Sequence, residues 1–279
     1  MATRVFAFGV PLLALAVLGA LPVSAPGQLA AAHTPDDLTG RGGPPPGMHR
    51  VFVDDFSGAS LDTAKWDTCY PWSNSGAGCT NFGNPELEWY LPAQVQVSDQ
   101  ALHLIASNTP TPGTTRNGDA RAYGWRSGMV TTYSSFALTY GYVSVQAQLP
   151  KGQSLWPTLW LLPTSQKFPP EIDLASTLGD DTKHVRVVYH PVSGQQYNKK
   201  VRTPDQSIGW HTYAVNWQPS SITWYIDGRT VSRYRGRTPS QAMYLLAALA
   251  VADFSGSAPA PGVPPFASLD IRKVEVYRN

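Results

Sequence analysis

The chain has 279 residues, with 21 Lys and Arg against 19 Asp and Glu, a formal charge of +2. So small an imbalance excludes charge-driven binding to nucleic acid or to a membrane surface.

Residues 1–32, "MATRVFAFGVPLLALAVLGALPVSAPGQLAAA", carry one Arg, then an apolar run from Val5 to Leu21, then small residues with Ala-x-Ala spacing. That is the pattern of a secretory signal peptide cut near Ala32. Pro11 and Pro22 leave the run short of the roughly 20 apolar residues of a membrane span, so no membrane attachment is expected after cleavage. Loss of Arg4 leaves 20 basic groups (21 − 1) against 19 acidic ones. Residues 33–50 are Pro- and Gly-rich with little to bury, and read as a mobile tether. Residues 51–279 are then one large β domain in a secreted or periplasmic protein.

Cys69 and Cys79, in "TCYPWSNSGAGCT", are the only cysteines. In an exported chain this pair is expected to form a disulfide closing a short loop, which contributes about 2 to 3 kcal/mol in the chain-entropy model. Two thiols without further ligands do not make a zinc site.

Short strands follow. "VQVSDQALHLIA" predicts a hairpin turning at Ser98-Asp99-Gln100, and "SITWYIDGRTVSRY" one turning at Asp227-Gly228. In "YGYVSVQAQL", Val143, Val145, Ala147 and Leu149 share one face and Ser144, Gln146 and Gln148 the other, the period of a half-buried strand. "WHTYAVNW" and "IRKVEVY" alternate likewise, and "MYLLAALAVA" fits a buried strand. Many short strands with Gly and Pro turns predict an all-β fold, a two-sheet antiparallel β-sandwich.

The chemistry is concentrated in "WPTLWLLPTSQKFPPEIDLAST", residues 156–177. In an extended strand Glu171 and Asp173 point one way together while Ile172 and Leu174 point the other. Paired carboxylates raise each other's proton affinity and are typical both of tuned nucleophiles and of solvated strand edges. Trp156 and Trp160 flank the pair, and Trp89, Trp125, Trp210, Trp217 and Trp224 add indoles suited either to a core or to stacking on sugar rings.

With "FVDDFSGASLDTAKWD", "NPELEWYLPAQVQVSDQALHLIA", "SGMVTTYSSFALTYGYVSVQAQLPKGQSLWPTLWLLP", "EIDLAS", "GWHTYAVNWQPSSITWYIDG" and "LDIRKVEVY" in this order, the chain resembles glycoside hydrolase family 16 over about residues 51–279. The resemblance implies a β-jelly roll with a concave glycan-binding cleft and a retaining endo-acting hydrolase of β-linked polysaccharide or oligosaccharide. It implies no cofactor and a chain that works as a monomer. The family signature Glu-x-Asp-x-Glu, or Glu-x-Asp-x-x-Glu with a bulge, makes Glu171 the nucleophile and Asp173 its assistant. The acid/base then falls on Ser176 in the bulged form or Ala175 in the unbulged one, and neither side chain does that job. Retaining hydrolysis needs a second acid about 5 to 5.5 Å from the nucleophile, and general acid/base help is worth about 100- to 10,000-fold. Catalysis is therefore expected to be impaired or nonstandard, with a noncatalytic glycan-binding protein of exopolysaccharide or wall architecture as the alternative. The substrate-binding set is Trp156, Trp160 and Trp125 from the aromatic supply, with Glu88 and His190 at positions that match the family; Glu86 and Glu88 are read either as cleft liners or as supports of the fold. His190 is also a candidate proton carrier, ahead of Asp180, Asp181 and His184.

Further departures lie at Tyr142, Ser144 and Gln146, where the family usually has Arg, Glu and Arg. Arg233, Arg235 and Arg237 are either a charged strand edge or a contact for acidic polysaccharide. Asp54 and Asp270 occupy motifs comparable to those of a structural calcium in the family, though a hard cation needs six or more oxygens.

Overall fold

The computed structural model describes residues 43–73, 78–252 and 264–279. The expected signal peptide and most of the expected tether lie outside them. His49 and Arg50, assigned above to the tether, instead open the first strand, where they pair with Arg278 and Tyr277.

With strands numbered in chain order, the sheet that carries the chemistry runs β13 (Tyr197–Arg202), β12 (His184–His190), β11 (Glu171–Ser176), β10 (Leu155–Pro163), β17 (Met243–Val251), β8 (Met129–Thr131). The second sheet follows the order β16 (Arg229–Arg235), β15 (Ser221–Ile226), β14 (His211–Gln218), β9 (Gly141–Gln148), β18 (Phe266–Arg278), β4 (Ala101–Ser107), β7 (Trp125–Ser127), β2 (Glu88–Tyr90). Onto it β1 (His49–Asp54) adds by pairing with β18 and β3 (Val95–Ser98) by pairing with β4, while β5 (Thr111–Thr114) and β6 (Ala120–Tyr123) form a separate ribbon. Pairing is antiparallel except between β2 and β7. The all-β jelly-roll sandwich is thus the observed fold, and among the described residues the only helix is one turn of 3-10 at Pro92–Gln94.

Alternation builds the core between the sheets. Val143, Val145 and Ala147 of β9 and Val215 and Trp217 of β14 meet Leu159 and Leu161 of β10 and Ile172 and Leu174 of β11. Both hairpins turn where expected: Asp99 and Gln100 have φ of 49° and 58°, Asp227 and Gly228 of 48° and 72°. Positive φ at both central residues matches the right-handed twist of the flanking strands. All nine residues of β17 are buried because the strand has apolar neighbours on both faces. Leu245, Ala247, Leu249 and Val251 face the sandwich core, and Tyr244, Leu246 and Ala248 pack with Tyr70, Tyr90, Met129 and Trp160 beneath the disulfide loop. Cys69 and Cys79 are bonded, as expected.

Candidate active site

On the outer face of the β13–β8 sheet runs a groove of about 970 Å³. Its floor is made by alternate residues: Trp156, Thr158 and Trp160 of β10, Glu171, Asp173 and Ser176 of β11, Arg186, Val188 and His190 of β12. The spacing on β11 is two and then three, so something must reset the alternation. Against β10, Trp160 pairs with Asp173 and Leu159 with Ala175, leaving Leu174 over. Against β12, Asp173 pairs with Val188 and Ser176 with Arg186. One extra residue in β11 is a β-bulge, which re-aims the next side chain. Ala175 turns into the sandwich core, and Ser176 joins Glu171 and Asp173 in the groove. Of the two readings left open by the sequence, the geometry is the bulged one.

The bulge is held from the other sheet. Trp224 of β15 crosses the core and its indole N–H donates to the backbone carbonyl of Asp173 at 2.7 Å. Ser176 is 6% exposed, and its Oγ accepts the indole N–H of Trp156 at 2.8 Å.

Burial, and then the charge of Asp173, push the Glu171 carboxyl well above the ordinary carboxylate range. Burial pushes Asp173 up to about 7, against a hydrogen bond with Glu171 that works the other way. Two carboxyls this close do not both ionise readily, so the pair retains a proton beyond the usual range. His190 Nε2 lies 3.3 Å from Glu171 Oε1, and burial lowers the proton affinity of this imidazole. The Gln196 amide, 3.0 Å from the same nitrogen, donates into it. His190 therefore touches Glu171 directly, closer than the gap of about 5 to 5.5 Å that separates the two acids of a retaining pair.

Several expectations are corrected. Trp125, taken for a sugar contact, is 2% exposed within the sandwich core. Glu88 is fully buried; its Oε2 accepts the Val251 N–H at 2.9 Å, so it supports the fold behind the groove. Its partner Glu86 does reach the groove, held by the Asn81 N–H and the Asn84 amide. Trp66, Trp89, Trp217 and Trp224 are core residues, and Trp210 stacks under Arg272. Tyr142, Ser144 and Gln146 sit on β9 of the other sheet, outside the groove lining, so the missing family arginines and glutamate there do not bear on its chemistry. Asp181 is occupied by His184 and Lys200 at 2.8 and 2.7 Å. Asp54 accepts from the Phe56 N–H and the Trp66 indole, and Asp270 pairs with His103. Asp54 also lies opposite Val274, which is four residues or roughly 13 Å from Asp270 along β18. These two carboxylates do not fit one calcium ion, and the described residues hold no group of three or more His, Cys, Asp or Glu arranged for a metal.

The groove also has residues the sequence reading passed over. Trp72, inside the disulfide loop, stacks on Tyr70 at 4.5 Å and lines it. Phe168, 62% exposed, lies beside His190. Arg186, Gln196 and Asn198 line its β12–β13 side. A tryptophan closed into a short loop by two cysteines was the one available signal for Trp72.

Known proteins bear on this arrangement. An endo-1,3-1,4-beta-glycanase, EglC, of Rhizobium meliloti is 34% identical over 82% of this chain and 52% of its own length. A beta-glucanase of Rhodothermus marinus is 29% identical over 68% of this chain and 66% of its own. The chain thus spans about half the length of the first of these relatives, 52%. The laminarinase catalytic domain of Thermotoga maritima superposes with a TM-score of 0.72 at 24% identity, over 83% of this chain and 98% of that one. The Rhodothermus marinus laminarinase superposes at 0.68 with 26% identity, over 83% and 98%. Residues 87–260 match the model of Glycosyl hydrolases family 16, and the chain belongs to that family.

Proposed function

We propose that this chain binds a β-linked glycan along the groove and acts on it as an impaired retaining glycosidase, with Glu171 as nucleophile, Asp173 as its assistant and no competent proton donor. The observation that carries this reading is the bulge in β11, which lines Ser176 up with Glu171 and Asp173 on one face. A hydroxyl neither protonates a departing sugar oxygen near neutral pH nor activates water afterwards. Glycan binding is supported by the indoles of Trp72, Trp156 and Trp160 along the groove. The buried Trp160 Nε1 and Asp173 Oδ1 there have no protein partner, a donor and an acceptor suited to sugar hydroxyls. The relatives named for endo-β-glycanase activity support the substrate class. The apolar leader and the disulfide support export.

An aryl β-glucoside oligosaccharide with a good leaving group needs no proton donor. It is expected to give a covalent adduct on Glu171, detected by mass spectrometry, while natural β-glucan is turned over at least about 100-fold more slowly than by Ser176→Glu. Glucan binding without an adduct, and no gain in Ser176→Glu, would establish the noncatalytic binding protein instead. That second reading has one observation of its own: the proton held by the Glu171–Asp173 pair keeps the nucleophile from full ionisation.

A further inference from the structure

The β12–β13 side of the groove carries a charge distribution that neutral glucan does not use. Across the sheet, Ser176 is in register with Arg186 and Arg186 with Lys200, while His184 is in register with Arg202. Arg186, Lys200 and Arg202 are exposed, and even-numbered residues of β13 share the groove side with Asn198. Among the described residues the carboxylate beside this row is Asp181, which is already bonded to His184 and Lys200. Arg186 makes no ion pair; its Nη1 reaches only the Asn198 carbonyl oxygen at 3.5 Å. Two more cations, Arg116 and Lys167, line other parts of the groove. The acids that face them are Glu86 and Asp173, which are buried, and Glu171, which is partly so; each has its proton affinity raised, chiefly by desolvation. A proton shared by Glu171 and Asp173 lowers the negative charge they set against these cations. A chain with almost no net charge has therefore gathered unpaired guanidinium groups along one side of a sugar-binding groove, where focusing by its walls strengthens their pull on anions.

We propose that the glycan taken by this groove is anionic: a β-glycan with carboxylate or sulfate groups on its sugar residues, which lie over Arg186 and, beyond it, Lys200 and Arg202. This rests on the glycan-binding reading given above and names its substrate class. A guanidinium offers two parallel N–H donors to a carboxylate or sulfate, a match that a neutral hydroxyl does not provide. Placing the charged sugar beside Ser176 also orients the chain across the β11 bulge, with the aromatic platforms Trp160 and Trp72 taking the residues on the other side.

The test uses the full chain and mixed-linkage β-1,3-1,4-glucan oligosaccharides of one length in three forms: unmodified, carboxymethylated, and sulfated to the same degree. Calorimetric titration at low salt is expected to show at least one anionic form binding about tenfold more tightly than the unmodified one, and which form wins identifies the group. That advantage should shrink severalfold in 0.5 M salt, a concentration at which screening acts within about 5 Å. In Arg186→Gln/Arg202→Gln the ratio of anionic to neutral affinity should fall about fivefold, the scale of exposed charge pairs. Equal binding of the three forms, or an advantage that the double variant and salt leave intact, overturns the anionic inference while the glycan-binding reading stands. Binding of none of them overturns both.

Discussion

At the scale of single residues, the proposed reading turns on one small group: a hydroxyl at position 176, where retaining chemistry would need a carboxyl. Glu171 and Asp173, the proposed nucleophile and assistant, both line the groove, and their environment makes a pH signature. Asp173 folded titrates at about 7, well above an ordinary aspartate. The native state therefore holds a proton that the unfolded chain releases between about pH 4 and pH 7. A proton bound more tightly by the native state stabilises it at low pH, and this contribution disappears as the pH rises through 7. In Asp173→Asn the loss between pH 4 and 8 should shrink by up to about 4 kcal/mol, read from denaturant midpoints across that range. The same substitution removes the charge that raises Glu171 beyond the effect of burial. The acid limb of adduct formation on an aryl glycoside should then move to lower pH. A limb that stays in place would show that the two carboxyls do not titrate together. The Glu171–Asp173 pair was legible in the sequence because period two puts i and i+2 on one face. Its contact with His190 was not, since that contact depends on the β11–β12 register.

Among elements, β11 carries most of the site, and its bulge depends on a residue 51 positions away. The Trp224 indole N–H on the Asp173 carbonyl gives the backbone of the bulged segment a partner from the opposite sheet. Trp224→Phe removes that donor from the buried carbonyl and leaves a void beside it, at a cost of about 2 to 4 kcal/mol in unfolding free energy. Trp217→Phe, which loses a comparable bond to Thr238, is the control. Both variants should be destabilised, but only Trp224→Phe should also slow adduct formation on Glu171 and blunt the gain from Ser176→Glu. Equal effects of the two would mean that the indole supports packing alone. This dependence explains why the sequence left Ala175 and Ser176 both open. The hairpins at Asp99-Gln100 and Asp227-Gly228 are local and could be read directly, as could the alternation of β9 and β14. The bulge is a tertiary feature, and so is the burial that turned Trp125 and Glu88 from expected sugar contacts into core residues.

For the whole molecule, the groove is assembled from a rigid sheet and from loops that the sheet does not itself fix. Two of its aromatic platforms come from such loops: Phe168 from the turn between β10 and β11, and Trp72 from the segment closed by Cys69 and Cys79. Trp156 and Trp160 were found in the sequence because they flank the carboxylate pair, while Phe168 and Trp72, placed by loops, were not. Trp72 stacks flat on Tyr70 at 4.5 Å and 11°, and Tyr70 meets Trp160 edge to face at 6.3 Å. This chain of rings connects the disulfide loop to the strand opposite Asp173. The disulfide thus has two consequences that experiment separates. Cross-linking residues 10 apart in sequence removes loop freedom from the unfolded chain, worth about 2 to 3 kcal/mol. It also holds Trp72 in place before a glycan arrives, which spares ordering cost on binding. In Cys69→Ser/Cys79→Ser the stability loss should appear in denaturant unfolding. A severalfold loss of oligosaccharide affinity should persist well below the unfolding transition, where the protein is still fully folded. Trp72→Ala in the disulfide-intact chain should reproduce the affinity loss with little of the stability loss. If the double serine variant binds glycan as tightly as the parent once folded, the bond stabilises the fold but does not shape the groove, and Trp72 is held by Tyr70 alone.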